Sequence, residues 1–337
     1  MNWYLQSGNE ADVVISTRIR LARNVNGFTF ALKKEGEREK LEDKIKEAIF
    51  SVGYGLQFLK LKDMDDITKM SLVEKHLISP DFALNKNETG SILINEEENI
   101  CIMIGEEDHL RIQVFSSGLD LENTMNLAVE LDEKLGNLLG YSISKKYGYL
   151  TSCPSNVGTG LRASVMLHLP ALSMTGNDKK ILESLSGIGV VVRGGYGENS
   201  EVEGQIYQIS NYQTLGVSEK DIVQNLKVIV EQVMKQERQA RKFLTKDAIT
   251  LEDRIYRSYG ILTNARKIST QETMRLLSMV KLGTDLGILP QMTDAKMKQL
   301  YLYTKPANLQ KYKQEQYEVI ELDIKRAEVI KEIIEKN

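Results

Sequence analysis

SILINEEENICIMIGEEDHLRIQVF, residues 91–115, decides the fold. It holds three short runs rich in β-branched and other apolar residues, 91–95, 100–104 and 110–115, split by acidic turns. This spacing predicts an antiparallel meander. Upstream, residues 12–23 alternate apolar with polar or charged side chains, as a half-buried strand does, and 37–50 has helical spacing. Downstream, Leu121, Met125, Ala128, Leu131, Leu135 and Leu138 share one face of a helix that Asp120 would cap and Gly140 would end. A polar loop, 151–160, leads to an expected helix start at Leu161. Residues 188–192 and 205–210 predict strands around a loop rich in Gly and Glu, 193–204. Ser218 with Asp221 predicts the start of a long helix reaching Phe243. After Leu244 only helices are expected: 251–261, 270–281, 294–303 and 316–336. The predicted class is α+β. An antiparallel sheet flanked by helices occupies residues 1–245, and an all-α region occupies 246–337.

Composition narrows the function classes. The 337 residues are 42% hydrophobic and 27% charged, with net charge −3, as in an ordinary soluble chain of about two domains. No global basic field favours nucleic acid or an anionic membrane. Two cysteines cannot build a disulfide framework. They and the three histidines lack metal-ligand spacing, so no protein metal site is expected. The first residues are polar, without the apolar centre of a signal peptide, and no apolar run approaches a membrane span. The expected setting is the cytoplasm.

Four charged segments sit beside tight turns. In STRIR, 16–20, Arg18 and Arg20 point to one face of a strand. Two neighbouring guanidinium groups repel unless an anion lies between them, and a triphosphate suits; a solvated strand face is the plainer alternative. In EEDHLR, 106–111, three adjacent carboxylates form either a polar turn or a group able to orient and deprotonate a cationic nucleophile. Arg111 follows them. In TSCPSNVGTGLRAS, 151–164, a loop opening onto the expected helix start would bind an anion, without the Lys and spacing of a Walker A motif. Cys153 is there either an activated thiol or a buried inert one. In RGGYGENSE, 193–201, the glycines suit a segment that closes over substrate, bringing Glu198 and Glu201; a plain hairpin loop also fits. Together these features suit phosphoryl transfer to a positively charged acceptor.

STRIR, EEDHLR, CPSNVGTGLRAS (153–164) and the glycine loop occur in one order across residues 12–245. In this the chain resembles the ATP:guanidino phosphotransferases, the family of creatine and arginine kinases. Phosphagen kinases carry a small helical domain ahead of STRIR that helps enclose a small substrate. Only fifteen residues precede Ser16 here, and a helical region follows instead. With LVEKHLISP (72–80), LTSCPSNVGTGLRASVMLHLPAL (150–172) and LEDRIYRSYGIL (251–262), the arrangement is similar to the family's protein arginine kinases. An open site of this kind admits an arginine side chain on a protein surface.

The resemblance implies ATP as phosphoryl donor, with Mg²⁺ held mainly by its phosphates. Arg18, Arg20, Arg111, Arg162 and Arg193 match phosphate-binding arginines. Their neighbours Ser16, Thr17, Ile19, Ala163, Ser164, Val165, Met166, Gly194, Gly195, Tyr196, Gly197 and Glu198 belong to the same nucleotide-binding segments. His76 matches a histidine packed near the base. Glu107 matches the general base, with Asp108 beside it, Glu201 the second carboxylate, and Cys153 a reactive cysteine near the acceptor. Gly105 stands where phosphagen kinases commonly have Asn. The RDxxRA motif of protein arginine kinases, which binds phosphoarginine, corresponds to LDIKRA, 322–327, with Leu322 at the first Arg position. Also implied are a homodimer, to which 270–282 would contribute, and a stress-response role with a McsA-type activator, a CtsR-type repressor and the Clp protease. A kinase for a small free guanidino compound and a non-catalytic phosphoarginine-binding adaptor are the competing readings.

Overall fold

A computed structural model describes residues 2–31, 36–84, 90–187, 189–194 and 203–336. In chain order it places β1 at Val14–Arg23, α1 at Glu37–Ser51, β2 at Gln57–Lys60, α2 at Asp66–Glu74 and the single turn α3 at Pro80–Ala83. The meander follows as β3 (Ser91–Ile94), β4 (Ile100–Ile104) and β5 (Leu110–Ser117). Helix α4 (Leu121–Leu139) precedes a small hairpin, β6 (Ile143–Ser144) with β7 (Gly148–Tyr149). Then come β8 (Leu161–His168), α5 (Pro170–Met174), α6 (Asp178–Ser186), β9 (Val190–Gly194), β10 (Ile206–Asn211) and α7 (Glu219–Leu244). The remainder is helical: α8 (Ala248–Asn264), α9 (Thr270–Asp285), α10 (Asp294–Tyr303), α11 (Pro306–Lys313) and α12 (Val319–Glu335).

Among the described residues, eight strands form one sheet in the order β2-β3-β4-β5-β1-β8-β10-β9. Every neighbouring pair is antiparallel. Side chains alternate across a strand, so the register divides the sheet into two chemically different faces. Ile19, Leu21, Ile112, Val114, Ala163 and Val165 lie on one face, buried against Leu41, Ile45, Leu131, Leu135, Leu226 and Val230 of α1, α4 and α7. Burying each large aliphatic side chain contributes roughly 1.5–3 kcal/mol. A one-residue slip of β1 would exchange Ile19 and Leu21 for Arg18 and Arg20, so the core fixes which face the arginines occupy.

The helix expected from Leu161 is strand β8. Leu161, Ala163, Val165 and Leu167 alternate with Arg162, Ser164, Met166 and His168, a period of two, and the segment pairs with β1 and β10. Gly160 admits this pairing. Its φ is +62°, and a Cβ there would stand 2.5 Å from an Arg23 guanidinium nitrogen and 2.6 Å from the Ala22 carbonyl oxygen. Ser218 caps α7 through the Asp221 amide, as expected. Asp120 makes no capping bond to α4; its carboxylate accepts from Asn123 instead.

The helices after α7 bury a second core that includes Leu251, Ile255, Leu277, Val280, Leu300, Ile330 and Ile333. Nine residues of α9 are buried, so the apolar face of 270–282 is used within the chain. Exposed apolar side chains lie instead on α8 (Ile249, Tyr256, Ile261) and α12 (Val319, Ile320, Ile324). Helix α11 had no expected counterpart. It is held by Glu74 at the end of α2, whose carboxylate accepts from the amides of Ala307 and Asn308 at 2.8 Å each. Among the described residues no helix is long and apolar enough to cross a membrane.

Candidate active site

Arg18 and Arg20 stand on the sheet face away from the main core. Arg20 is directly opposite Arg162 on β8 and Gln113 on β5, and Arg111 lies two residues before Gln113. On β9, Arg193 is opposite Gln208, which is itself opposite Met166. Four strands thus contribute five arginines to one face. All five line a single open cleft of about 660 Å³, together with His76, Glu106, Glu107 and Cys153.

These cations are crowded. Burial, and then the charges of Arg162, Arg111 and Arg193, push the Arg18 guanidinium down to about 10. Burial, followed by Arg111, Arg162 and Arg18, holds Arg20 well below the ordinary guanidinium range. Arg18 also donates to the Gln208 side-chain oxygen at 3.3 Å. A fixed cluster of positive groups that repel one another is preorganised for a polyanion, and guanidinium forks match phosphate oxygens in geometry and charge.

Carboxylates answer one end of the row. Arg111 pairs with Glu106 and, at 2.8 Å, with Glu107. The turn bearing both begins at Gly105, whose φ of +73° favours glycine. Its carbonyl accepts from Arg38 at 3.1 Å. Glu106 also accepts from the Ser79 hydroxyl at 2.9 Å and is nearly enclosed. Glu107 keeps 40% of its side chain exposed, which leaves it reachable by an incoming cation. Glu106 was not singled out from the sequence, because only the shape of the turn decides which of three adjacent carboxylates face the cleft.

Asp108 faces the other way. It is 1% exposed, and one of its oxygens accepts from Asn24 Nδ2 at 2.8 Å and from the Ser152 amide at 2.6 Å. It therefore ties the acidic turn to the loop carrying Cys153 rather than lining the cleft. Cys153 is half-buried and precedes one 3-10 turn, Pro154–Asn156, with Sγ 3.0 Å from the Ser155 hydroxyl. The helix expected to start at Leu161 is strand β8, so the positive charge at the cleft comes from the arginines of the sheet rather than from a helix N-terminus.

The remaining expected positions separate by face. Ser16, Ser164 and Met166 lie on the arginine side and line a narrow passage with Arg18, His76 and Gln208. Thr17, Ile19, Ala163 and Val165 are turned into the interior. Thr17 donates to the Gly118 carbonyl at 2.7 Å, and the other three belong to the main core. Their side chains do not face the cleft. His76 follows α2 with φ +63°. Burial, then Lys305 and Arg18, hold its imidazole well below the usual range, so it is neutral at pH 7. Gly194 ends β9 opposite Tyr207. Gly195, Tyr196, Gly197, Glu198 and Glu201 lie outside the described residues. In the segment 322–327, Arg326 is 1% exposed and donates to the carbonyls of Thr304 and Ile268 and to Asp323. Among the described residues no group of three or more His, Cys, Asp or Glu side chains is placed to hold a metal ion.

The family model described as ATP:guanido phosphotransferase, C-terminal catalytic domain, matches residues 40–240. The chain belongs to that family. A second model, Protein-arginine kinase McsB C-terminal domain, matches residues 248–337 of this phosphotransferase. A protein-arginine kinase of Halothermothrix orenii is 46% identical over 342 residues, spanning 98% of this chain and 95% of that one. Another, of Geobacillus stearothermophilus, is 45% identical over 345 residues, spanning 98% and 92%. Among solved structures, a lombricine kinase superposes with TM-score 0.61 at 26% identity, over 68% of this chain and 67% of that one. The duplicated taurocyamine kinase of Schistosoma mansoni, solved with transition state analog components, gives TM-score 0.60 at 30% identity. That match covers 69% of this chain and 34% of the duplicated one. The antiparallel sheet with flanking helices is thus the phosphagen-kinase fold.

Proposed function

We propose that this chain is an ATP-dependent protein arginine kinase, which transfers the γ-phosphate of ATP to the guanidinium of arginine residues in proteins. The observation that carries the reading is the convergence of five arginines, Glu107 and Cys153 on one open cleft. Similarity to protein-arginine kinases over 98% of the chain supports the choice of acceptor.

A guanidinium is protonated at neutral pH and is a poor nucleophile. Glu107, exposed at the mouth of the cleft, accepts hydrogen bonds from the acceptor guanidinium and aims one nitrogen at the γ-phosphorus. The N–P bond forms as the bond from phosphorus to the ADP oxygen breaks, and the nitrogen's proton passes to Glu107. Arg18, Arg20, Arg111, Arg162 and Arg193 stabilise charge on the phosphoryl oxygens. Glu201 supplies a second carboxylate on the family's pattern, and Cys153 lies beside the acceptor. Mg²⁺ bound to the ATP phosphates adds charge neutralisation.

The catalytic part of this reading is assigned to residues 1–245 and a helical domain to 246–337. A cytoplasmic homodimer acting in stress response, with a McsA-type activator, a CtsR-type repressor and delivery of marked proteins to the Clp protease, completes it. Its support is the likeness to protein-arginine kinases.

The test is incubation with ATP and either a folded protein bearing surface arginines or free arginine. Products are read by mass spectrometry under conditions that preserve acid-labile phosphate. Phosphoarginine on the protein is expected. Phosphorylation of free arginine alone would favour a small-molecule kinase, and no ATP turnover would favour a binding protein.

A further inference from the structure

Beside the arginine cleft, past the narrow passage, lies a second, mainly apolar pocket of about 130 Å³. The three share walls: Arg18 and Gln208 line cleft and passage, and Ser16, His76 and Met166 line passage and pocket. A ligand with its polyanionic end on the arginines therefore has an apolar chamber for its other end. Its mainly apolar lining suits a planar aromatic group.

Two features of the chamber are not explained by packing. Trp3 is 7% exposed and stacks on Phe115 with centroids 5.1 Å apart and planes at 15°. Its indole Nε1 is buried with no hydrogen-bond partner among the described residues, and so is the hydroxyl oxygen of Tyr301. Buried polar atoms are nearly always paired, because leaving them unmade is costly. Both residues line the same pocket. A purine answers them: its ring nitrogens accept from the indole N–H, and its edge offers both donors and acceptors to a tyrosine hydroxyl.

The far wall of the chamber comes from the C-terminal helices, through Met274 of α9, Tyr301 and Leu302 of α10, and Lys305 before α11. That wall is fixed to the nucleotide side by Glu74, which caps α11 two residues before His76. We propose that the C-terminal helices complete the nucleotide-base pocket, with Trp3 Nε1–H and the Tyr301 hydroxyl bonding the edge of the base. This assignment rests on the ATP-dependent reading above. It makes the helical region part of the nucleotide site, so a displacement of α10 alters ATP affinity.

Trp3 is the chain's one tryptophan, so its fluorescence reports this pocket and the passage beside it. Titration of the full chain with ATP should quench or shift that emission. Inorganic tripolyphosphate, which occupies only the arginines, should not. In calorimetry, Tyr301→Phe should bind ATP about five- to tenfold more weakly, as for one lost hydrogen bond, and tripolyphosphate within about twofold of the parent. Parent-like ATP affinity in Tyr301→Phe, or equal quenching by tripolyphosphate and ATP, would overturn the assignment and leave the kinase reading standing. Absence of any ATP binding by calorimetry would instead sink the kinase reading, and the assignment with it.

Discussion

Replacing Arg18 by Gln should stabilise the nucleotide-free protein while weakening its hold on ATP. The Arg18 guanidinium is pushed down from its ordinary range to about 10, through burial first and then Arg162, Arg111 and Arg193. A displacement of that size corresponds to about 3 kcal/mol against the charged form in the folded state. Arg18 is only partly buried, so solvent screens some of this, and glutamine keeps part of the polar burial. Relief of about 1–2 kcal/mol is expected. The sign follows from linkage: the folded pKa of a base is depressed, so the penalty is fully present below pH about 10 and disappears only above it. With an unfolding entropy of about 2.1 cal/mol/K per residue, the gain corresponds to about 2 °C in the unfolding midpoint. Loss of one charge-assisted contact, worth about 1.5–3 kcal/mol, should weaken ATP by about 10- to 100-fold. Thermal unfolding with and without ATP checks both halves at once. A lower midpoint without nucleotide, or an undiminished ATP-dependent rise, would refute the picture of arginines held in mutual repulsion for an anion.

Glu107→Gln should cut phosphoarginine formation by about 10²- to 10⁴-fold while leaving ATP affinity within about twofold, measured by product mass spectrometry and calorimetry. Asp108→Ala should cost about 3 kcal/mol in urea unfolding, because it strands the buried Asn24 Nδ2 and Ser152 amide donors. Asp108→Asn, which retains the accepting oxygen, should recover most of it. Iodoacetamide should label Cys153 and spare Cys101 in the native protein, as read by peptide mass spectrometry; Cys101 is buried, its thiol is pushed up by that burial, and it donates to the Leu77 carbonyl. His76, His109 and His168 are all held below the ordinary imidazole range, chiefly by burial. The unfolded chain therefore takes up protons below pH 6.5 that the folded chain refuses, and each histidine lowers stability by at most about 1.4 kcal/mol per pH unit there. Asp285, pushed up to about 6 by burial, acts oppositely between about 6 and 3.8. His168→Gln should flatten the acid-side loss by one proton's worth, read from urea unfolding at pH 7 and 5.5.

Much of the fold was legible because strand and helix periods are local. The meander at 91–115, β1 and the long helices α4 and α7 each show their period within one segment. Leu161–His168 misled because a glycine-bearing loop suggested a helix start, whereas pairing with β1 and β10 made it a strand. Motif order in the sequence was enough to indicate a guanidino phosphotransferase. Tertiary structure decided how the motif residues face. Only the register of four strands puts Arg18, Arg20, Arg111, Arg162 and Arg193 on one surface, where their charges crowd together. Only the shape of the acidic turn sends Glu106 and Glu107 to Arg111 and Asp108 inward. Trp3 and Tyr301, near opposite ends of the chain, carried no sequence signal. A pocket between distant segments exists only once the chain has closed around it.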